Sequence, residues 1–189
     1  MSIKKKKKTI LRTIRLSEDI DDLLEKDAQN QNVSANALIS KIMTRYVEWD
    51  RIIEKTSYIV IASPLFRALI NETNDQKLEE IGKKYVYEAI KELAMVEFGK
   101  TDFKTLLNAF FLVSKYDTGL RTSAPSPAEN ESDSQSTITI YHDWGPKGSI
   151  ILKGYFDNLA KTELGRQPAI SATDDAITVS FPKLSKPRP

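Results

Sequence analysis

The sequence predicts a mainly helical fold in two parts, a small N-terminal β-α-α unit and a larger C-terminal α+β domain. Residues 9–50 hold a short alternating segment followed by two amphipathic helical patterns. A unit of roughly 40 residues is too small to bury an adequate core alone, so it needs a second chain. The chain has no cysteine, so no disulfide compensates for the small core of this unit. Beyond residue 56, β-prone and helical segments alternate over a length sufficient for an independent core.

Composition restricts the class of protein. The 189 residues are 40% hydrophobic and 29% charged, as in ordinary globular proteins. The net charge is only +2, but five positive charges form the run Lys4 to Lys8. The absence of cysteine excludes a disulfide framework and cysteine-ligated metal sites, and it favours an intracellular protein. Because Arg12 and Arg15 interrupt the first apolar residues and no long apolar run follows, we expect no signal peptide, no membrane association and a cytoplasmic location.

The first element is a predicted strand over residues 9–16. We expect the preceding residues 1–8 to form a disordered basic arm. Side chains of a strand point alternately to its two faces. One face would carry Thr9, Leu11, Thr13 and Arg15, and the other Ile10, Arg12, Ile14 and Leu16.

Two amphipathic helices should follow the strand. Ser17 precedes a run of acidic residues, and this pattern is typical of a helix N-cap. The acids between Glu18 and Asp27 would then lie on the polar face. Ser34 should cap the second helix. The apolar stripes are Ile20, Leu23, Leu24 and Ala28 on the first helix, and Leu38, Ile39, Ile42, Met43, Tyr46, Trp49 and Ile53 on the second.

Two segments of this unit resemble the ribbon-helix-helix family. Residues 13–18 (TIRLSE) are similar to its strand-to-helix junction, and residues 32–39 (NVSANALI) to its turn into the second helix. The resemblance implies that residues 9–54 form a β-α-α unit of an intertwined homodimer. It also implies a sequence-specific transcription regulator whose two-stranded ribbon enters the major groove of double-stranded DNA, as a homodimer or a higher oligomer on DNA.

The same resemblance implies which side chains contact bases. They are Leu11, Thr13 and Arg15, on one face of the ribbon. Arg15 would bond bidentately to O6 and N7 of guanine, and Thr13 would offer its hydroxyl or its methyl group. Leu11 departs from the polar residue usual at its position, and it allows only an apolar contact such as a thymine methyl group.

Phosphate contacts are expected at three further places. In this family, the N-terminus of the second helix binds a phosphate through its free N–H groups. Arg12 falls on the core side of the strand, from which it would reach out to a phosphate. The lysine run adds attraction that is independent of sequence. The predicted phosphate contacts are therefore Arg12, Ser34, Ala35, Asn36, Lys6, Lys7 and Lys8.

Residues 57–182 should form the α+β domain. Ser57 to Ala62 are β-prone, and the apolar face of the long middle helix should be Leu78, Ile81, Tyr85, Ala89, Leu93 and Val96. We expect Gly165 to terminate the last helix. The predicted segments are helices near 64–72, 75–97, 102–115 and 148–164, a flexible loop at 122–136, a strand at 136–144, a hairpin at 169–173 and 176–181, and a disordered tail at 183–189.

The sequence offers little support for catalysis. His142 is the only histidine, so a histidine metal cluster is excluded within one chain. A Ser-His-Asp triad with Asp143 is formally allowed, but no nucleophile motif accompanies it. The segment GPKGS lacks the spacing of a phosphate-binding loop. We expect turn and capping roles for His142 and Asp143, and we expect no enzymatic activity, metal or cofactor.

The C-terminal part resembles the extension of certain archaeal ribbon-helix-helix regulators. The matching positions are Tyr46 to Arg51 and His142 to Gly145. The resemblance implies either a domain that senses a small-molecule effector, not identified by the sequence, or a further dimerisation surface. The alternative is an antitoxin that binds a toxin through its C-terminal region. Such regions are usually short and disordered until bound, whereas this one is long and patterned.

Overall fold

The computed structural model describes residues 10–116, 119–122 and 136–181. The predicted arm at 1–8, most of the loop at 122–136 and the tail at 183–189 lie outside these residues. The chain divides into two compact units, Met1–Val47 and Glu48–Pro189. The division comes earlier than the predicted end of the N-terminal unit at residue 54. Ile52 explains this difference, because it is buried in the core of the second unit.

The first unit consists of two helices, α1 (Glu18–Asn30) and α2 (Ala35–Arg45). Ser17 is the N-cap of α1, as predicted, and Ser34 caps α2 by accepting a hydrogen bond from the N–H of Ala37 at 3.2 Å. Asn32 ends α1 with a left-handed φ of 54°. Its N–H donates to the carbonyl of Gln29, and that of Val33 donates to the carbonyl of Ala28, both at 3.0 Å. This pair of bonds is a Schellman motif.

The predicted strand over residues 9–16 pairs with no other strand within the described part of the chain. A strand exists only where a neighbour satisfies its N–H and C=O groups. In the ribbon predicted for this segment, that neighbour belongs to a second copy. The N-terminal strand therefore stays a prediction.

The second unit is mainly helical with one antiparallel sheet. Helix α2 continues through a π-helical turn, Tyr46–Asp50, into α3 (Arg51–Ile53). The further helices are α4 (Ser63–Asn71), α5 (Asp75–Ile81), α6 (Tyr87–Phe98), α7 (Phe103–Tyr116) and α8 (Pro146–Leu164), and the strands are β1 (Leu120–Thr122), β2 (Ser136–His142), β3 (Ala169–Ala172) and β4 (Ala176–Phe181). These strands pair in the order β1-β2-β4-β3.

The predicted hairpin and last helix are confirmed. β3 and β4 pair antiparallel across residues 173–175, and Gly165 ends α8 with a left-handed φ of 62°. Side chains alternate between the two faces of the sheet. Ile138 and Val179 are buried on one face, and the hydroxyls of Thr139 and Thr178 lie 3.1 Å apart on the other face. Strand β1 was not predicted. The β-prone segment 57–62 forms no strand and pairs with none among the described residues.

The predicted apolar face of the middle helix is only partly correct. Leu78 and Leu93 are fully buried, but Tyr85 is 54% exposed and Val96 is 39% exposed. A π-helical turn, Gly82–Val86, joins α5 to α6. Such a turn holds more residues than an α-helical turn, so it rotates every later side chain relative to a uniform period of 3.6. The buried residues of α6 are accordingly Tyr87, Ile90, Leu93 and Ala94.

This π-helical turn crosses α8 with both backbones in close contact. A Cβ atom on Gly82 would lie well within 3.0 Å of the Ile151 carbonyl, and one on Gly154 would likewise lie within 3.0 Å of the Glu79 carbonyl. Real Cβ atoms essentially never approach other atoms so closely. Each helix therefore offers a glycine where the other backbone passes. The aromatic core beside this crossing contains Phe110, Tyr155, Phe156 and Phe181.

His142 is a buried structural link between β2, α8 and the β3–β4 turn. Its Nδ1 accepts a hydrogen bond from the N–H of Trp144 at 3.4 Å, so the proton of the neutral ring is on Nε2. Nε2 donates to the Ser149 hydroxyl at 2.8 Å, and that hydroxyl donates to the Thr173 carbonyl at 2.6 Å. Burial lowers the pKa of His142, and the charges of Asp175 and Asp143 partly oppose this effect.

We expect the free energy of unfolding to fall as the pH drops below about 6.5. The unfolded chain binds a proton at His142 near that pH, whereas the folded chain takes it up only at lower pH, so protonation favours unfolding. The slope reaches at most about 1.4 kcal/mol per pH unit. Denaturant unfolding of the wild type and of His142→Gln between about pH 7.5 and 5 tests this. Because no other histidine is present, the slope should become much smaller in the variant. Equal slopes would contradict the assignment.

Candidate nucleic-acid interface

The first unit leaves most of its apolar side chains exposed. Ala28 and Leu38 are its only buried residues among those described. The exposed large apolar side chains between residues 10 and 47 are Ile10, Leu11, Ile14, Leu16, Ile20, Leu23, Val33, Ile42, Met43, Tyr46 and Val47. An exposed apolar surface of this extent on so small a unit is typical of an interaction surface.

The predicted apolar stripes of α1 and α2 are only partly buried. On α1, Ala28 is buried and Leu24 is half-buried, but Leu23 is 63% exposed. On α2, Leu38 is buried and Ile42 and Met43 are exposed. Packing α1 on α2 thus covers only part of each stripe. The uncovered parts are available to a second chain.

The predicted base-contacting side chains are all exposed. Leu11 is 92% exposed, and Thr13 and Arg15 are exposed as well. Neither Arg15 nor the predicted phosphate ligand Arg12 forms an ion pair within the described part of the chain, and so both guanidinium groups are available to bind an anion. The lysines Lys6, Lys7 and Lys8 lie outside the described residues.

The N-terminus of α2 combines two features suited to a phosphate. The Ser34 hydroxyl is occupied by the N–H of Ala37, which fixes the first turn of the helix. The N–H groups of Ala35 and Asn36 have no partner among the described residues. Ser34 and Asn36 are exposed, and Ala35 is half-buried. Free first-turn N–H groups and the helix dipole favour an anion at this point.

The first turn of α1 carries negative charge, in contrast to the N-terminus of α2, which favours an anion. Glu18, Asp19 and Asp21 occupy its first turn, and all three are exposed. The Ser17 hydroxyl bonds to the Asp19 carboxylate and lowers its pKa, so this acid stays ionised. A polyanion would be repelled by this end of α1.

The described residues of the second unit hold no group of acidic or histidine side chains that fits a metal ion. The hydrogen bonds of His142 go to Ser149 and to the Trp144 amide, not to the Asp143 side chain. Ser149 directs its own proton to a carbonyl, whereas an activated nucleophile would direct it to the base.

No helix in the described part of the chain is long and apolar enough to cross a bilayer.

Sequence reasoning missed a cavity of about 550 Å³ in the second unit. Its aromatic wall is made by Tyr58, Phe66, Tyr85, Phe110 and Trp144. These residues are spread over the segment before α4, α4 itself, the π-helical turn, α7 and the β2–α8 turn. No local spacing in the sequence signals that they meet.

Comparison with protein-family models, with curated proteins and with solved structures gives no match for this chain.

Proposed function

We propose that two copies of the chain pair through residues 10–16 and bind double-stranded DNA sequence-specifically, as a transcription regulator. The observation that carries this proposal is the first unit itself, which buries Ala28 and Leu38 but leaves its other large apolar residues at least partly uncovered. Antiparallel pairing of residues 10–16 with a second copy would satisfy the backbone groups of this segment. It would also bury Ile10, Ile14 and Leu16 against the uncovered parts of α1 and α2.

Such pairing places the opposite face of the ribbon outward. Leu11, Thr13 and Arg15 would lie on this face twice, related by the two-fold axis. A two-stranded ribbon fits the major groove, where each base pair presents a distinct set of hydrogen-bonding groups. The Arg15 guanidinium, which has no ion-pair partner in the described structure, would then bind guanine.

Phosphates on either side of the groove would be bound by groups that do not read sequence. The N–H groups of Ala35 and Asn36 would bind one phosphate, with Ser34 holding the turn. Arg12 and the lysine run Lys6 to Lys8 would add counterion release and hence a dependence on salt. The small net charge of +2 is consistent with attraction confined to this end of the chain.

The antitoxin alternative has less support. Residues 48–181 include a core of their own, formed by α6, α7, α8 and the sheet. An antitoxin of this type would instead keep a C-terminal segment that orders on its toxin. The described residues of the second unit, which end at residue 181, contain no such segment.

Selection from a randomised duplex pool, followed by fluorescence titration at several salt concentrations, tests the proposal. We expect Arg15→Ala to weaken binding to the selected duplex by about 1–3 kcal/mol and to relax preference at one base pair. Arg12→Ala should weaken binding to all duplexes alike and lower the salt slope by about one.

Arg121→Ala is the matched control, because it removes the same charge from an exposed position on β1. It should bind as the wild type does. The proposal fails if the wild type selects no sequence, or if Arg15→Ala and Arg121→Ala bind the selected duplex equally well.

A further inference from the structure

The cavity of the second unit is the feature that the proposed function leaves unexplained. Its volume of about 550 Å³ lies within the usual range for small-molecule sites. All residues that line it belong to the second unit, and none of them carries a charge. Ile59 and Tyr85, which are 84% and 54% exposed, mark where it opens to solvent.

The walls of the cavity are held in place by contacts on several elements. Phe66 of α4 packs edge-on against Trp144, with ring centroids 5.2 Å apart. Phe110 of α7 is stacked on the fully buried Tyr155 at 5.3 Å. The segment that carries Tyr58 and Ile59 is fixed at its start by Ser57, whose N–H and hydroxyl both lie 3.2 Å from a Glu92 carboxylate oxygen. The cavity is therefore a preformed feature of a packed domain.

The parts of the chain outside the described residues are poorly suited to fill it. Residues 123–135 (SAPSPAENESDSQ) contain no large apolar side chain, and residues 182–189 (PKLSKPRP) contain one, Leu184. Residues 1–9 (MSIKKKKKT) contain Met1 and Ile3 beside five lysines, and the remaining two residues are Asp117 and Thr118. Burying acidic or basic side chains in an uncharged cavity without partners is costly. An occupant from this chain is thus disfavoured by charge.

We propose that this cavity binds an uncharged, predominantly aromatic small molecule. Five aromatic rings provide faces and edges for stacking against such a ligand. The absence of a charged lining residue excludes the pairing that a carboxylate, a phosphate or an ammonium ligand would need. The inference does not depend on DNA binding, because binding to the cavity is measured directly.

N-phenyl-1-naphthylamine and 8-anilino-1-naphthalenesulfonate form a suitable pair of fluorescent probes. They share a skeleton and differ by one sulfonate, so their comparison isolates the effect of charge. We expect the full-length protein to bind the uncharged probe at least about tenfold more tightly than the charged one. Equal affinities, or tighter binding of the sulfonate, would overturn the proposal.

Substitutions that fill the cavity test whether the probe binds there. Ala89→Phe on α6 and Val113→Phe on α7 each add bulk to the lining. Each should weaken binding of the uncharged probe at least about tenfold, since the space for it is lost. Met95→Phe, which adds a ring on the exposed side of α6, should bind as the wild type does. Unchanged binding in a folded cavity-filling variant would refute the site.

A second measurement does not depend on how well those variants fold. Trp144 lines the cavity and Trp49 does not, and they are the only two tryptophans. In Trp49→Phe, the uncharged probe should quench the remaining tryptophan emission almost completely at saturation. The probe should also bind Ile42→Asp normally, because Ile42 belongs to the first unit. Emission that stays unquenched while the probe binds, or loss of binding in Ile42→Asp, would assign the probe to another surface.

Discussion

Replacing Gly82 with alanine is expected to destabilise the second unit by about 3 kcal/mol or more. The added Cβ would overlap the carbonyl of Ile151 and approach the backbone nitrogen of Tyr155. Both atoms belong to the backbone of α8, so no side chain is able to rotate away. Relief requires the two helices to separate, which would open the core around the fully buried Tyr155. Denaturant unfolding followed by circular dichroism measures this loss.

Two further glycine variants calibrate that result. Gly154→Ala should cost a similar amount, because its Cβ would meet the Glu79 carbonyl at the same crossing. Gly99→Ala meets no atom within 4 Å, and its left-handed φ of 68° alone should cost about 1–2 kcal/mol. A loss in Gly82→Ala no greater than that in Gly99→Ala would show that the helices do not cross in contact.

A second large effect is expected from Ile42→Asp. Ile42 is 47% exposed in the single chain, so in a monomer this substitution would change little. In the proposed dimer, the partner covers the uncovered stripe of α2, and the new carboxylate would be buried without a counter-charge. We expect dimerisation to weaken about 100-fold or more, with loss of DNA binding. Sedimentation equilibrium at several protein concentrations measures the change in mass.

Val60→Asp is the control for this experiment. Val60 is fully exposed and lies in the segment before α4, in the second unit. The same exchange of an apolar side chain for a carboxylate should leave both mass and DNA binding unchanged. If Ile42→Asp behaves like Val60→Asp, the uncovered stripe of α2 is not an interface.

Local signals in the sequence were sufficient to predict most helices and strands of the second unit. Gly165 ends α8 because glycine tolerates a positive φ, and residues 173–175 join a hairpin whose inward residues alternate. Local signals did not predict features that depend on packing between residues far apart in the sequence. The close crossing at Gly82 and Gly154 and the π-helical turn beside it shift the buried face of α6, so a uniform helical period placed Tyr85 and Val96 inside.

Strand propensity was also misleading where no partner strand exists. Residues 58–61 (YIVI) are strongly β-prone, yet they form no strand, and Tyr58 and Ile59 line the cavity instead. Conversely, residues 120–122 (LRT) have a weak signal, and they form β1 because β2 lies beside them. Pairing of strands is decided by tertiary structure, which local propensity does not report.

For the candidate interface, the structure leaves every residue from 10 to 16 exposed, so the alternation that assigns Leu11, Thr13 and Arg15 to one face stays a prediction. One chain does not show the pairing of this segment, because in the proposed dimer the partner strand belongs to a second copy. The cavity was missed for a related reason: residues as far apart as Tyr58, Phe110 and Trp144 line it together.

The number of protein chains bound to one selected duplex tests the central claim most directly. Native mass spectrometry of the full-length protein with that duplex gives this number without assuming a binding model. A first unit completed by a second copy predicts two chains per duplex, or a multiple of two, with no complex holding a single chain. A stable complex of one chain with one duplex would contradict the account.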